Sequence, residues 1–493
     1  TDPWAVPSQV GSWIVIVFCT GLMMSLVFLG QFIAPEEDPN PAALLVPANF
    51  TGQFALGVEP FNEAQAEEML DGLDTGPIPQ RLARLVILTE LISGKKGPDR
   101  SKPADGPEEG QAASTRAQEV LDALARLPQQ MTEASYVPTE TERELIDATE
   151  QVIQAKFART PLPADSDAVR TVEQGLGFAG RVAAAWSSDD PKVRQEIRDN
   201  STSKLLLVSV FGLTVLAAVA CGLLVAAGMV GSLVLGWLRS GLGQGSGYGF
   251  IHLEAFAVWF VSFFACQVGV GLLASVFEMG EKANVGLTLV IFYIPVIVAL
   301  GWLVVRHPQP RRALQEVGFT TKNIWVDLGK AVITHLAFLP LLGLTMFLTV
   351  GLTTLVHGGA AAENPFAPPG GPSHPIQEQF DGQIGTVLLL FLLAAVTAPL
   401  VEETVFRGLM YRYLRDVTHQ RSIYMSVLVA TLVNGFIFAS IHPQGLLGIP
   451  TLMTLAASMS LAREWSGGLI APMAIHALNN GALVGLMSLM FAS

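Results

Sequence analysis

The chain has 493 residues, of which 51% are hydrophobic and only 14% charged, with a mean hydropathy of +0.46 and a formal net charge of −13. A soluble domain carries about 25% charged residues, so this composition excludes an ordinary water-soluble protein and fits a polytopic membrane protein. The charge excludes a nucleic-acid partner too: residues 35–203 hold 29 acidic and 16 basic residues (16 − 29 = −13), which leaves 13 of each sign elsewhere and no basic surface to meet phosphate.

A spanning helix needs about 20 apolar residues. Nine uncharged runs serve: 13–34, 205–238, 255–277, 283–305, 331–356, 382–401, 422–441, 443–462 and 465–493. The first reads as an anchor within residues 1–34. A cleaved signal peptide is the competing reading, opposed by the absence of a basic flank and of an A-x-A-like site before Pro35.

Residues 35–203 form an inserted, acidic, helical segment. Thr139-Glu-Thr-Glu142 is a capping box, followed at helical spacing by Leu145, Ile146, Thr149, Val152, Ile153 and Phe157; Val120, Leu121, Leu124 and Leu127 repeat the pattern. The stretch Gly94–Gly110 reads as a flexible linker. With neither His nor Cys, the segment carries no catalytic constellation, and its charge is a solvated surface or a site for an unknown cationic partner.

Residues 204–382 supply the next four spans. Ser240–Phe250, with five glycines, is a loop. His252, Glu254 and His335 lie near span ends, where reaching water is cheap, and need no functional explanation. Cys19, Cys221 and Cys266 all lie in apolar runs, so neither a disulfide framework nor a cysteine-rich zinc site is expected. Orientation follows from Lys/Arg bias. Placing Arg239, Arg306 to Lys330, Arg407 to Arg421 and Arg463 on one side gathers 11 of the 13 basic residues outside the acidic segment and leaves Lys204 and Lys282 opposite. That side is expected to be cytoplasmic, with residues 35–203 and the loop Asn364–Pro375 outside.

Residues 383–493 carry the chemistry. Ionisable groups within spans are costly, which makes each a functional candidate: Glu402, Glu403 and Arg407, then His442, then His476 with Asn480. Glu403 and Arg407 are spaced i,i+4 and make a structural ion pair. Glu402 points about 100° away, free to act on water or substrate. His476 and Asn480 share one helix face and suit an oxyanion. If the sixth span ends near Leu414, Glu402 lies about 18 Å inside it. His442 matches that depth only if the seventh span starts near residue 430; a start at Ser422 puts it about 30 Å deep.

Glu402-Glu403-Thr404-Val405-Phe406-Arg407 matches EExxxR, Phe438 to His442 matches FxxxH, and His476 to Asn480 matches HxxxN. In this order and spacing, over about 80 residues, the chain resembles the CPBP family of intramembrane proteases, the CAAX prenyl-protease type 2-like group. The resemblance implies an all-α transmembrane bundle whose eight-span core corresponds to spans two through nine. It also implies an endopeptidase acting on membrane-associated protein or peptide substrates; with the Lys/Arg bias above, its site is expected to open toward the cytoplasmic side of a bacterial cytoplasmic membrane. By motif position, Glu402 with His442 would activate water and His476 with Asn480 would hold the oxyanion. Glu402, His442 and His476 are also a two-histidine, one-carboxylate zinc set; a metal-free glutamate mechanism uses the same residues, and both stay open. HExxH is absent, Gly371-Pro-Ser-His374 falls in the external loop, and no aspartate pair lies in the spans, which disfavours zincin, serine and aspartyl chemistries.

Three other readings compete. The motif cluster serves as polar glue between helices; the fold serves a non-proteolytic scaffold or immunity-type protein; or the chain is a transporter, against which stands the lack of an internal repeat.

Overall fold

The computed structural model describes residues 45–93, 107–188, 190–243, 245, 247–277, 281–320, 323–363, 384–419, 422–442 and 444–491. The expected anchor 13–34, the linker as far as residue 106, Cys19, Pro443 and the loop carrying His374 lie outside these residues. Every element described is helical.

The acidic segment comprises α1 (Val46–Val58), α2 (Glu63–Asp71), α3 (Ile78–Ser93), α4 (Pro107–Glu133), α5 (Glu140–Phe157), α6 (Asp167–Gly175) and α7 (Gly177–Trp186). Helix α4 starts at Pro107, so the last residues assigned to the linker are helical instead, as proline at a first helical turn allows. The capping box forms as read: the Glu142 amide donates to Thr139 Oγ1 at 3.2 Å and the Thr139 amide to Glu142 Oε2 at 2.8 Å. Leu145, Ile146, Thr149, Val152 and Ile153 all turn inward. The apolar four join Leu56, Leu82, Val86, Leu124, Val172 and Val182 in a core separate from that of the membrane bundle.

The segment is fastened to the bundle by α8 (Pro191–Val234), one continuous helix of 44 residues. Its first turns carry Arg194 and Arg198, which pair with the buried Glu90 of α3 at 2.9 Å each; from Leu205 on it is apolar. The boundary read at 203/204 therefore falls inside a helix.

The bundle continues with α9 (Gly249–Phe277), α10 (Glu281–Arg306), α11 (Pro310–Val317), α12 (Ile324–Glu363), α13 (Ile384–Thr418), α14 (Ile423–Ser440), α15 (Gly445–Ser466) and α16 (Ile470–Phe491). Among the described residues, seven helices are long and apolar enough to cross a membrane, and the apolar part of α10, Ile291–Arg306, is shorter. All eight runs after the first are thus helical. Their outward faces are apolar, as on α8 (Leu213, Leu216, Leu224) and α12 (Phe347, Leu355), which suits lipid contact. Inside, Phe256, Trp259, Phe406 and Phe438 stack edge to face around the middle of α13.

Several of the basic residues read as one side pair with carboxylates near the helix ends of the bundle. There Arg415 binds Glu464 at 2.9 Å, Arg412 binds Asp416 at 2.8 Å, Arg306 binds Glu254 at 3.1 Å, and the Gly241 amide donates to the Glu464 carbonyl at 2.8 Å. His252 departs from expectation. It is completely buried in the first turn of α9, 3.8 Å from Glu316 of α11.

Candidate active site

Helix α13 is not a regular α-helix. Two π turns, Leu393–Thr397 and Thr404–Met410, flank a short α stretch, Ala398–Glu403, that carries both glutamates. Pro399 accounts for the first: it has no N–H for the carbonyl four residues back and its ring crowds that carbonyl, and a wider turn is how membrane helices absorb the defect. The Ala398 amide consequently bonds Leu393 O, five residues back. That frees Ala394 O, which accepts from Asn480 Nδ2 at 2.9 Å. In the second π turn the Tyr411 amide bonds Phe406 O. The freed Arg407 O accepts from Arg463 Nε at 3.3 Å. Single π turns are frequent at functional sites.

Glu403 and Arg407 form the expected ion pair, Oε1 to Nη1 at 3.0 Å, with no exposed side-chain area on either residue. The guanidinium also donates to Ala456 O at 3.1 Å and lies 4.6 Å above the Phe438 ring, a cation–π contact. Glu403 does more than was read from its spacing. The same Oε1 lies 2.8 Å from His476 Nδ1, so the pair also orients a histidine on another helix.

Glu402 Oε2, with no direct hydrogen-bond partner, faces His442 Nε2 at 3.7 Å and His476 Nε2 at 3.9 Å. The side chains of Glu402 and His442 are each 19% exposed, that of His476 4%. His442 Nδ1 lies 2.7 Å from Phe438 O. A carbonyl only accepts, so Nδ1 carries the proton and Nε2 turns a bare lone pair toward Glu402. His476 Nδ1, beside a carboxylate, is likewise a donor.

The structure therefore brings Glu402, His442 and His476 together and places Asn480 one turn beyond His476, held to Ala394 O. Helix α14 starts at Ile423 and the contact of His442 with Glu402 forms; the expectation concerned where the span enters the membrane, with the residues before 430 partly interfacial, and a helix start does not fix that. Glu402 lies 16 residues back from Thr418, the last residue of α13, and His442 lies 20 residues on from Ser422, the N-cap of α14. Those lengths are about 24 and 30 Å, so the two strands of the helical hairpin meet again at the site. Distance from a helix start is not depth below a membrane surface when the hairpin's tip extends past it.

Three features escaped the sequence reading: the π turns, the link from Glu403 to His476, and Arg463. Pro399 was a visible signal for the first π turn. For the other two there was none, since each joins residues 56 or more apart.

The donor set also bears on zinc. Two histidines that donate through Nδ1 and face a carboxylate through Nε2 match the way ligating histidines are oriented. An ion with bonds of about 2.0–2.1 Å holds tetrahedral ligand atoms about 3.4 Å apart. The separations here are wider, and among the described residues no three His, Cys, Asp or Glu side chains gather closely enough to hold a metal ion. As arranged, these residues do not fit the ion, and no step below is routed through one.

Residues 384–482 match the family model for the Rce1-like type II CAAX prenyl endopeptidases. Over 96 residues, 20% of the chain, it is 34% identical to an uncharacterised 24.3 kDa protein of Escherichia coli, covering 43% of that protein. Over the same length it is 31% identical to the membrane-embedded CAAX protease MroQ of Staphylococcus aureus, covering 38%. The chain thus spans less than half the length of these curated relatives. No solved structure matches it. This matched segment holds Glu402, Glu403, Arg407, His442, His476 and Asn480, and over it the chain is similar to the Rce1-like group of CAAX proteases.

Proposed function

We propose that the protein is an intramembrane endopeptidase that cleaves membrane-associated protein or peptide substrates with a water activated by Glu402 and His442. The observation that carries this reading is the facing of two acceptors, Glu402 Oε2 and His442 Nε2, at 3.7 Å. That separation is beyond a direct hydrogen bond and is spanned by one water donating a hydrogen to each at about 2.8 Å. The water's lone pair is then left for the scissile carbonyl carbon. As the new C–O bond forms, Glu402 takes the water's proton and delivers it to the leaving nitrogen as the C–N bond breaks.

The carbonyl oxygen, now negative, needs donors. His476 gives Nδ1–H to Glu403, so its Nε2 donates when the ring is doubly protonated, with Glu403 as counter-charge. Asn480 is the second donor on the same ridge. Glu403 and Arg407 hold this half of the site in place. Of possible substrates, prenylated CaaX tails are the class suggested by the family description and by the name of the staphylococcal relative. In this reading the protein sits in a bacterial cytoplasmic membrane, the end rich in arginine is cytoplasmic and the acidic segment is outside.

The test compares purified wild type with Glu402→Gln and His442→Ala on a reporter substrate. Both variants are expected to fold and to lose cleavage by about 10²–10⁴-fold, the usual worth of a general base; wild-type rates in either folded variant would remove the assignment. Membrane proteomics of cells carrying Glu402→Gln would then show the uncut precursor accumulating.

A further inference from the structure

Each π turn of α13 leaves one carbonyl without its usual donor, and each is met by a side chain from the α15–α16 hairpin. Asn480, which meets the first, lies in a recognised motif; Arg463, which meets the second, lies in none. Arg463 is completely buried. Among the described residues no carboxylate lies within ion-pair distance of it. Its Nη2 donates instead to Glu316 O at 2.7 Å and Val317 O at 3.1 Å, the last carbonyls of α11, and only Nη1 lacks a partner. A cation at a helix C-terminus is favoured by the helix dipole, which offsets part of its desolvation.

The approach is built into the backbone. The chain leaves α11 through Gly318 at φ +107°, and a Cβ there would stand 2.8 Å from the guanidinium carbon. Glycine is thus required both by the conformation and by the space.

We propose that Arg463 is a positioning residue for the hydrolysis proposed above, on which this inference rests. Its Nε fixes the backbone of Arg407; the Arg407 side chain holds Glu403; Glu403 holds His476 Nδ1. The orientation of His476 Nε2 toward Glu402 therefore depends on a guanidinium that never reaches the site. Only a planar fork meets carbonyls on two helices at once, which a lysine ammonium does not reproduce.

The test uses the full chain with Arg463→Met and Arg463→Gln, reading kcat and KM on the reporter and, without substrate, amide exchange across Thr404–Met410. In the Met variant exchange across that segment is expected to quicken, and kcat to fall about 100-fold, the scale of a small misplacement far from the chemistry, with KM unchanged. Gln, which keeps a donor for one carbonyl, should recover part of kcat; it carries the same comparison if the Met variant does not fold. Wild-type exchange and kcat in either folded variant overturn the proposal, as does an effect confined to KM. Faster exchange in the variant of a protein whose wild type cuts nothing upholds the positioning of the segment and removes the protease reading instead.

Discussion

The buried pair of Glu403 and Arg407 offers a way to separate holding the fold from holding the chemistry. Both side chains are fully buried; among the described residues the guanidinium meets Ala456 O and the Phe438 ring besides Glu403, and the carboxylate meets His476 besides Arg407. Glu403→Gln leaves a cation, and Arg407→Leu an anion, without its main partner in the bilayer interior; each should cost about 3–5 kcal/mol. The double variant leaves no such charge. The glutamine Oε1 still accepts from His476 Nδ1, so the remaining loss is the two hydrogen bonds of Arg407, to Glu403 and to Ala456 O, and the cation–π contact, about 2–4 kcal/mol. The singles thus sum to about 6–10 kcal/mol against about 2–4 for the pair, a non-additivity well outside what independent sites show. Denaturation midpoints of the four proteins in one detergent measure it. Cleavage should stay low in the double variant even though its fold recovers, because a neutral amide gives no counter-charge to His476. Additive losses of stability would refute the reasoning, since they would mean that neither charge depends on the other.

Three further outcomes follow from the structure. Asn480→Ala should lower kcat about 10²-fold or more, as loss of an oxyanion donor does, while its hydrogen bonds to Ala394 O and from Asn479 Nδ2 limit the stability change to about 1–2 kcal/mol; a thermal melt alongside the kinetics checks both. Chelation followed by gel filtration should leave cleavage intact, whereas loss restored by zinc would transfer the water to an ion held by Glu402, His442 and His476. In the acidic segment, burial raises the Glu90 carboxyl, but Arg194, Arg198 and Lys156 with the Trp186 N–H outweigh it and bring it below its ordinary value. Its stabilisation is present above the unfolded value of about 4.3 and is lost as pH falls below it. Burial above all lowers the Lys156 ammonium to about 8, against the pull of Glu90 and with the push of Arg194 and Arg198. Between there and the unfolded value of about 10.4 the unfolded chain holds a proton that the folded chain has released, so stability rises with pH. Lys156→Met should therefore stabilise the segment at pH 7 and flatten that alkaline rise, read by chemical denaturation at pH 7 and pH 9.

Much of the architecture was legible because bilayer thickness imposes a length on apolar runs and helical periodicity imposes a pattern on Leu145, Thr149 and Val152. Both are local properties. Depth and element boundaries were less legible. The depth of His442 turned on where the seventh span enters the membrane, which no local pattern marks, and the change of composition near 203/204 does not end an element. Helix α8 shows why it need not: a backbone hydrogen-bond ladder is indifferent to whether side chains face water or lipid, so Arg194 and Leu213 share one helix.

The site was legible in its membership but not in its wiring. Spacing alone set Glu403 beside Arg407 and Glu402 on another face, because i,i+4 geometry is fixed by the helix. It assigned Glu403 to the ion pair alone, since nothing local shows that His476, 73 residues on, also reaches it. The π turns deepen the lesson. A regular helix satisfies its own carbonyls, so its neighbours need only pack; a helix widened at Pro399 and again at Thr404–Met410 exposes one carbonyl at each turn, and a buried carbonyl must find a donor. Asn480 and Arg463 are the donors found. The irregularity that presents the glutamates is thus what makes α15 and α16 hold polar residues inside a membrane, and the two are better understood as one feature than as a motif and an unrelated buried arginine.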